Sequence, residues 1–160
     1  MRLFEVEKYE LPSVDRICWK DTKINVGIFL SVYKTARERV GLSVLPKLTG
    51  TYQLVNEEHK RIQLTEELIN YEDYRIEFIR LNKLFILGYS SIMHPYRPEV
   101  TERRRKVFML RYVYGLTVPI ISERVNYQKN IIIEDSKNSM IQFAQSLELL
   151  EKKSTFSQPL

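Results

Sequence analysis

The sequence predicts an all-α protein. Three observations carry this: the long apolar patterns repeat with helical spacing, no stretch alternates apolar and polar residues cleanly with period two, and glycine and proline are scarce. Five glycines and six prolines in 160 residues leave little room for a loop-built β-sandwich. The nearest candidates for strands are Arg2 to Tyr9 and the apolar run Ile131 to Ile133. At 44% hydrophobic and 28% charged residues the chain can bury a core, which excludes disorder as the dominant state.

The first helix is expected over Thr22 to Val40. Ile24, Ile28, Val32, Ala36 and Val40 stand four apart with Phe29 and Tyr33 beside them, while Lys34, Arg37 and Glu38 fall on other faces. Asp21 or Thr22 suits its start, and Gly41 stands where a C-terminal cap belongs. Residues 42–54, with Pro46 and Gly50, read as a connector. Helical spacing resumes from about Asn56 to Ile92, with Leu68, Tyr71, Arg75, Ile79, Lys83, Leu84 and Leu87 along one side and Asn70 and Asp73 as candidate breaks. In His94-Pro95-Tyr96-Arg97-Pro98 both prolines turn the preceding residue away from helix, so a boundary falls there. Residues 1–94 are therefore expected to form a helical N-terminal portion for dimerisation or partner contact. It holds more apolar surface than a small helical unit easily buries alone, or else fills one core shared with the C-terminal helices.

Three helical units are expected after Pro98. The first spans Glu99 to Tyr114, with Val107, Leu110, Val113 and Tyr114 inward, and stops at Gly115. The second starts at the N-cap Thr117, carries Pro119 in its first turn and ends near Val125. After the turn Asn126-Tyr127-Gln128, the third runs from Lys129 to about Leu150 with Ile132, Ser136, Ser139, Met140, Phe143 and Leu147 inward. Residues 98–150 thus have the outline of a helix-turn-helix, and residues 151–160 read as a flexible tail.

A helix-turn-helix requires its short helix to cross the last one steeply, with apolar residues on both sides of a brief turn. Ile120, Ile121 and Val125 are the expected buried side of the short helix, and Ile132 meets them one turn into the last. Helical spacing then puts Lys129, Asn130, Ile133, Glu134 and Lys137 on one exposed arc, where they would read base edges in the major groove. The plainer alternative is a hairpin bundle that binds nothing charged.

Charge favours the first reading. Residues 1–50 carry nine basic and six acidic groups, residues 51–100 six and eight, and residues 101–160 ten and six. Seven basic residues but only three acidic ones lie between Arg97 and Arg124. Arg103, Arg104, Arg105, Lys106, Arg111 and Arg124 are accordingly the expected contacts to the DNA backbone, since phosphate contacts supply most non-specific affinity. Four consecutive basic residues point in four directions on a helix, so one or two of Arg103 to Lys106 should pair with Glu99 or Glu102 instead.

The stretch from Arg104 to Thr117, then Ile120 to Tyr127, then Ile132 to Ala144 resembles the C-terminal part of the ArpU family, phage regulators of late genes. That part in turn is similar to the fourth region of bacterial sigma factors. Val107-Phe108, Arg111-Tyr112, Asn126-Tyr127 and Phe143-Ala144 stand at the places of the family's pattern, over about 45 residues; upstream only the layout is similar. Gln128 replaces the family's usual capping Ser, and Glu134 and Asp135 stand where basic or neutral residues are more common. An acidic pair there would repel phosphate, although Glu can accept from cytosine N4. The resemblance implies a transcriptional regulator, expected to activate packaging and lysis genes, with double-stranded DNA as partner and RNA polymerase or a second copy of the chain at the N-terminal helices. The alternatives are an α-helical interaction module that pairs with or inhibits a related regulator, and the DNA-recognition subunit of a packaging machine.

Other chemistries find little support. No two glycines lie close enough for a phosphate loop. Ser136 has no histidine nearby in sequence, Ser90 and Ser91 have only His94 beside a proline, and His59 and His94 are the chain's two histidines, so no enzymatic activity is expected. Glu57, Glu58, His59, Glu66 and Glu67 read as a solvated helix face interleaved with Lys60 and Arg61, rather than as metal ligands. Cys18 beside Trp19 reads as a small buried hydrophobe, and a lone cysteine excludes an internal disulfide. Tyr71 and Tyr74 lie in the acidic third and read as core closures. Leu81 to Met93, the most apolar stretch, contains Asn82 and Lys83 and falls short of a membrane span. The expectation is a cytoplasmic protein with neither cofactor nor metal.

Overall fold

The computed structural model describes residues 3, 4, 6, 10–12, 14–55, 57 and 71–153. Among them the architecture is all-α: α1 (Trp19–Arg39), α2 (Tyr71–Ser90), α3 (Pro98–Phe108), α4 (Val118–Val125) and α5 (Lys129–Ser146). A single turn of 3-10 helix, Val14–Arg16, precedes α1, and a π-helical turn, Met109–Val113, extends α3. Extended pairing among the described residues is confined to two isolated bridges, Ile17 with Lys152 and Leu48 with Leu54. The run Ile131 to Ile133 is the first part of α5, not a strand. The strand candidate Arg2 to Tyr9 falls mostly outside the described residues, as do the helical reading of 58–70, with His59, Glu66 and Glu67, and the tail after residue 153.

Helix ends follow local chemistry. α1 starts three residues before Thr22, with Cys18 as the N-cap residue: its carbonyl accepts from Thr22 N–H at 3.0 Å and its thiol donates to Asp21 at 3.1 Å. At the other end Gly41 takes φ +83°, and paired bonds from Gly41 N–H to Glu38 O and from Leu42 N–H to Arg37 O, both 3.0 Å, close the helix. Gly115 (φ +74°) ends the π-helical turn, and Thr117 and Pro119 begin α4 as expected. Asn126 ends α4 in the left-handed region, at φ +58°.

The buried face of α1 is not the one its isoleucines suggest. Thr22, Val26, Leu30, Tyr33, Ala36, Arg37 and Val40 point inward, while Ile24, Ile28 and Val32 are 49%, 59% and 44% exposed. Arg37 accounts for the shift. At 1% exposure its guanidinium is ion-paired with Glu57 and donates to Ser43 O at 2.8 Å and Leu45 O at 3.3 Å. Glu57 therefore belongs to the core and not to a solvated helix face. The arginine also lies near Tyr33, whose hydroxyl donates to Asn82 on α2 at 2.6 Å. Burial raises the Tyr33 pKa, partly offset by Arg37. On α2 the inward residues are Phe78, Leu81, Asn82, Phe85 and Gly88, while Arg75 and Leu87 face solvent.

One hydrophobic cluster joins α1 and α2 to the C-terminal helices across the proline-rich loop at 94–98. Phe143 of α5 sits at the junction, its ring centroid 5.9 Å from Phe29, 6.1 Å from Phe85 and 4.6 Å from Phe108. A second cluster, Val107, Leu110, Ile121 and Ile132, joins α3 to α4 and α5. Val107 to Leu110 are four consecutive buried residues, so α3 is enclosed on opposite sides here, and the π-helical turn hands Val113 back to the first cluster.

Glycine positions test this packing. A Cβ at Gly88 would lie 2.5 Å from the Phe143 ring, whereas one at Gly27, on the exposed side of α1, meets nothing within 4 Å. Gly88→Ala should cost about 1–3 kcal/mol of unfolding free energy, and Gly27→Ala should add about 0.4–1 kcal/mol. Denaturant titration checks both; equal effects would contradict the packing.

Candidate nucleic-acid interface

α4 is held to α5 at their junction by a small apolar contact, with Ile121 and Ile132 fully buried against Val107 and Leu110. Val125 is half-buried as expected, but Ile120 turns out to solvent at 41% exposure. An eight-residue helix has one inward face, and Ile121 occupies it. Between the helices Ser122 Oγ donates to the carbonyl of Tyr127, stitching the three-residue turn. Gln128 is the N-cap residue of α5 and makes no side-chain capping bond.

The rotation of α5 is set by polar contacts with α3. Asp135 is 2% exposed and receives two N–H donors from Arg103, Nε at 2.6 Å and Nη2 at 3.3 Å. This is a fork-like arginine–carboxylate pair, stronger than a neutral hydrogen bond. The carboxylate raises the Arg103 pKa, and the guanidinium also lies 5.0 Å from the Tyr127 ring. Further along, Tyr112 Oη donates to Ser136 O at 3.1 Å and Arg111 Nη1 to Ser136 Oγ at 3.3 Å. Asp135 thus faces α3, and the acidic pair expected near phosphate is reduced to Glu134.

The expected backbone contacts divide into two groups. Arg103, Arg104, Arg105 and Arg111 are engaged within the fold. Arg104 donates to Met93 O at 2.9 Å, and desolvation lowers its pKa, Asp135 opposing. Arg105 donates to Ile92 O at 2.8 Å and Ser90 O at 2.9 Å, satisfying carbonyls at the end of α2. The expected partners Glu99 and Glu102 are used otherwise: Glu99 pairs with Arg97 at 2.9 Å, and Glu102 accepts from Gln53 at 3.2 Å. Lys106 and Arg124 instead line a shallow cleft with Arg103, Tyr127, Glu99 and Glu102, beside the start of α5.

The proposed base-reading residues Lys129, Asn130, Ile133, Glu134 and Lys137 are all exposed on α5. Asn130 Oδ1 accepts from Ile131 N–H at 3.0 Å. This face carries two cations and one carboxylate. Sequence reasoning missed Asp135 and Tyr127 as structural partners of Arg103; a carboxylate beside an inward serine, one turn after buried Ile132, was the available signal.

Among the described residues no group of three or more His, Cys, Asp or Glu is placed to hold a metal, and no helix is long and apolar enough to cross a membrane. Comparison with protein families, with curated proteins and with solved structures yields no match.

Two measurements follow from this geometry. Asp135→Ala should destabilise the protein by about 3 kcal/mol, because it strands a half-buried guanidinium, while Arg103→Met with Asp135→Leu should recover more than half of that loss. Losses that simply add would show that the pair does not couple α3 to α5. The second concerns His94, whose Nδ1 accepts from Arg97 N–H at 3.2 Å; desolvation, then Arg104 and Arg97, lower its pKa. Its neutral form is favoured in the fold, so its contribution is present above about pH 6.5 and lost as pH falls. NMR titration should find His94 below the free imidazole value; a value at or above it contradicts the assignment.

Proposed function

We propose that the chain binds duplex DNA through α4 and α5, with α5 entering the major groove, and that it regulates transcription in the manner its resemblance to the ArpU family implies. The observation that carries the reading is the exposed arc Lys129, Asn130, Ile133, Glu134 and Lys137 on a helix whose other carboxylate, Asp135, is bound inward by Arg103. An amide can pair with adenine N6 and N7 and a lysine with guanine O6 and N7, while Ile133 suits a thymine methyl. Glu134 serves as an acceptor for cytosine N4. Lys106 and Arg124 provide the phosphate contacts, Arg103 and Arg111 hold the reading helix in place, and Arg104 and Arg105 brace the end of α2.

The alternative of a protein-interaction module draws on a different surface, the apolar stripe Ile24, Ile28 and Val32. It requires only feeble, sequence-blind DNA binding.

Titrations of the purified protein against the DNA upstream of its own coding sequence, and against a scrambled duplex, separate these roles. Asn130→Ala and Lys137→Ala should cost about 1–3 kcal/mol on the preferred duplex and much less on the scrambled one. Arg124→Ala should weaken both equally and flatten the slope of log K against log salt by about one unit. Arg105→Ala should lower thermal stability and leave the salt slope unchanged. Wild-type binding that is equal on both duplexes and vanishes near physiological salt would favour the interaction module.

A further inference from the structure

We infer that α1 is a self-association surface, on which a second copy of the chain packs its own α1 in antiparallel orientation. The inference does not depend on the DNA reading. It starts from the exposed residues Ile24, Ile28 and Val32, which lie on the solvent side of a helix whose opposite face is fully used by the core. Three large β-branched side chains on adjoining turns form a continuous apolar stripe, and a shallow cleft beside it is lined by Asn25, Ile28, Phe29, Val32 and Leu149.

The charges around the stripe identify the occupant. Asp21 and Arg39 are both exposed and stand eighteen positions apart, about five turns, so they lie on the same line along the helix at opposite ends of the stripe. Lys20 and Glu38 repeat the same spacing with the signs exchanged, on one flank of the stripe about 100° round the helix. In an antiparallel pair centred near residue 30, Ile28 faces Val32 of the other copy, Asp21 faces Arg39 and Lys20 lies near Glu38. A parallel pair would set Asp21 on Asp21 and Arg39 on Arg39, which repel. The pattern is therefore self-complementary in one orientation: an apolar centre with a charged rim, in which residue i meets j and j meets i. The Arg39 guanidinium rests 5.0 Å from the ring of Tyr74 on α2.

Sedimentation of the full chain over about a hundredfold concentration range should show a monomer–dimer equilibrium. Ile28→Glu should weaken it at least tenfold, with helical content unchanged by circular dichroism. Asp21→Arg should also weaken it, and Asp21→Arg combined with Arg39→Asp should restore it; these exposed changes cover the case in which Ile28→Glu perturbs folding. Orientation is read by oxidation in a Cys18→Ser background: a mixture of Asp21→Cys and Arg39→Cys chains should cross-link, and Asp21→Cys chains alone should not. A monomer throughout the range, a dimer indifferent to Ile28→Glu and to the charge exchange, or ready cross-linking of Asp21→Cys with itself would each overturn the inference. DNA binding by the monomeric variants reports separately on the function proposed above.

Discussion

A buried carboxylate needs a cation, and for Asp135 on α5 the cation comes from a helix 32 residues earlier, where Arg103 grips it with two donors. Much of the C-terminal half depends on that pair. Once Asp135 faces α3, the helical period decides where the other α5 side chains go: Ile132, Met140 and Phe143 into the two apolar clusters, and Lys129, Asn130, Ile133 and Lys137 to solvent. Apolar contact alone would allow α5 to roll by a fraction of a turn, since Ile131 and Ile133 flank Ile132 and are as apolar as it is. The directional arginine–aspartate geometry removes that freedom.

The same device recurs between the N-terminal helices. Arg37, Glu57, Tyr33 and Asn82 form a polar chain inside an apolar surround, and Arg37 closes the segment after α1 by donating to two of its carbonyls. Such a network costs desolvation and returns register. Here it selects which of two plausible apolar faces of α1 turns inward. The consequence is the outward stripe of Ile24, Ile28 and Val32.

Much of the fold is legible in the sequence where the signal is local. The bounds of α4, the end at Gly115, the turn at 126–128 and most of the inward stripe of α5 follow from capping residues and helical spacing within a few positions. The phase of α1 is not legible in this way, because the ion-pair partner that lets Arg37 be buried, Glu57, stands twenty residues away, and a rule that turns arginine outward rotates the whole helix. Phe108 and Met109 escape for a related reason: one stripe is the expectation for a surface helix, and α3 is enclosed on two sides. The exposed arc of α5 is readable from spacing, but the engagement of Arg103, Arg104 and Arg105 is not. A basic run in sequence says how much charge is present and nothing about how much of it is already paired.

In the proposed function, burying Asp135 leaves α5 with a face that distinguishes one duplex sequence from another. Selection from a library of randomised duplexes by the wild-type chain, at physiological salt, addresses this most directly. One short motif should be enriched, with tightest preference at the few base pairs that a single helix end can reach. A selected pool with no sequence preference over the starting library would contradict it.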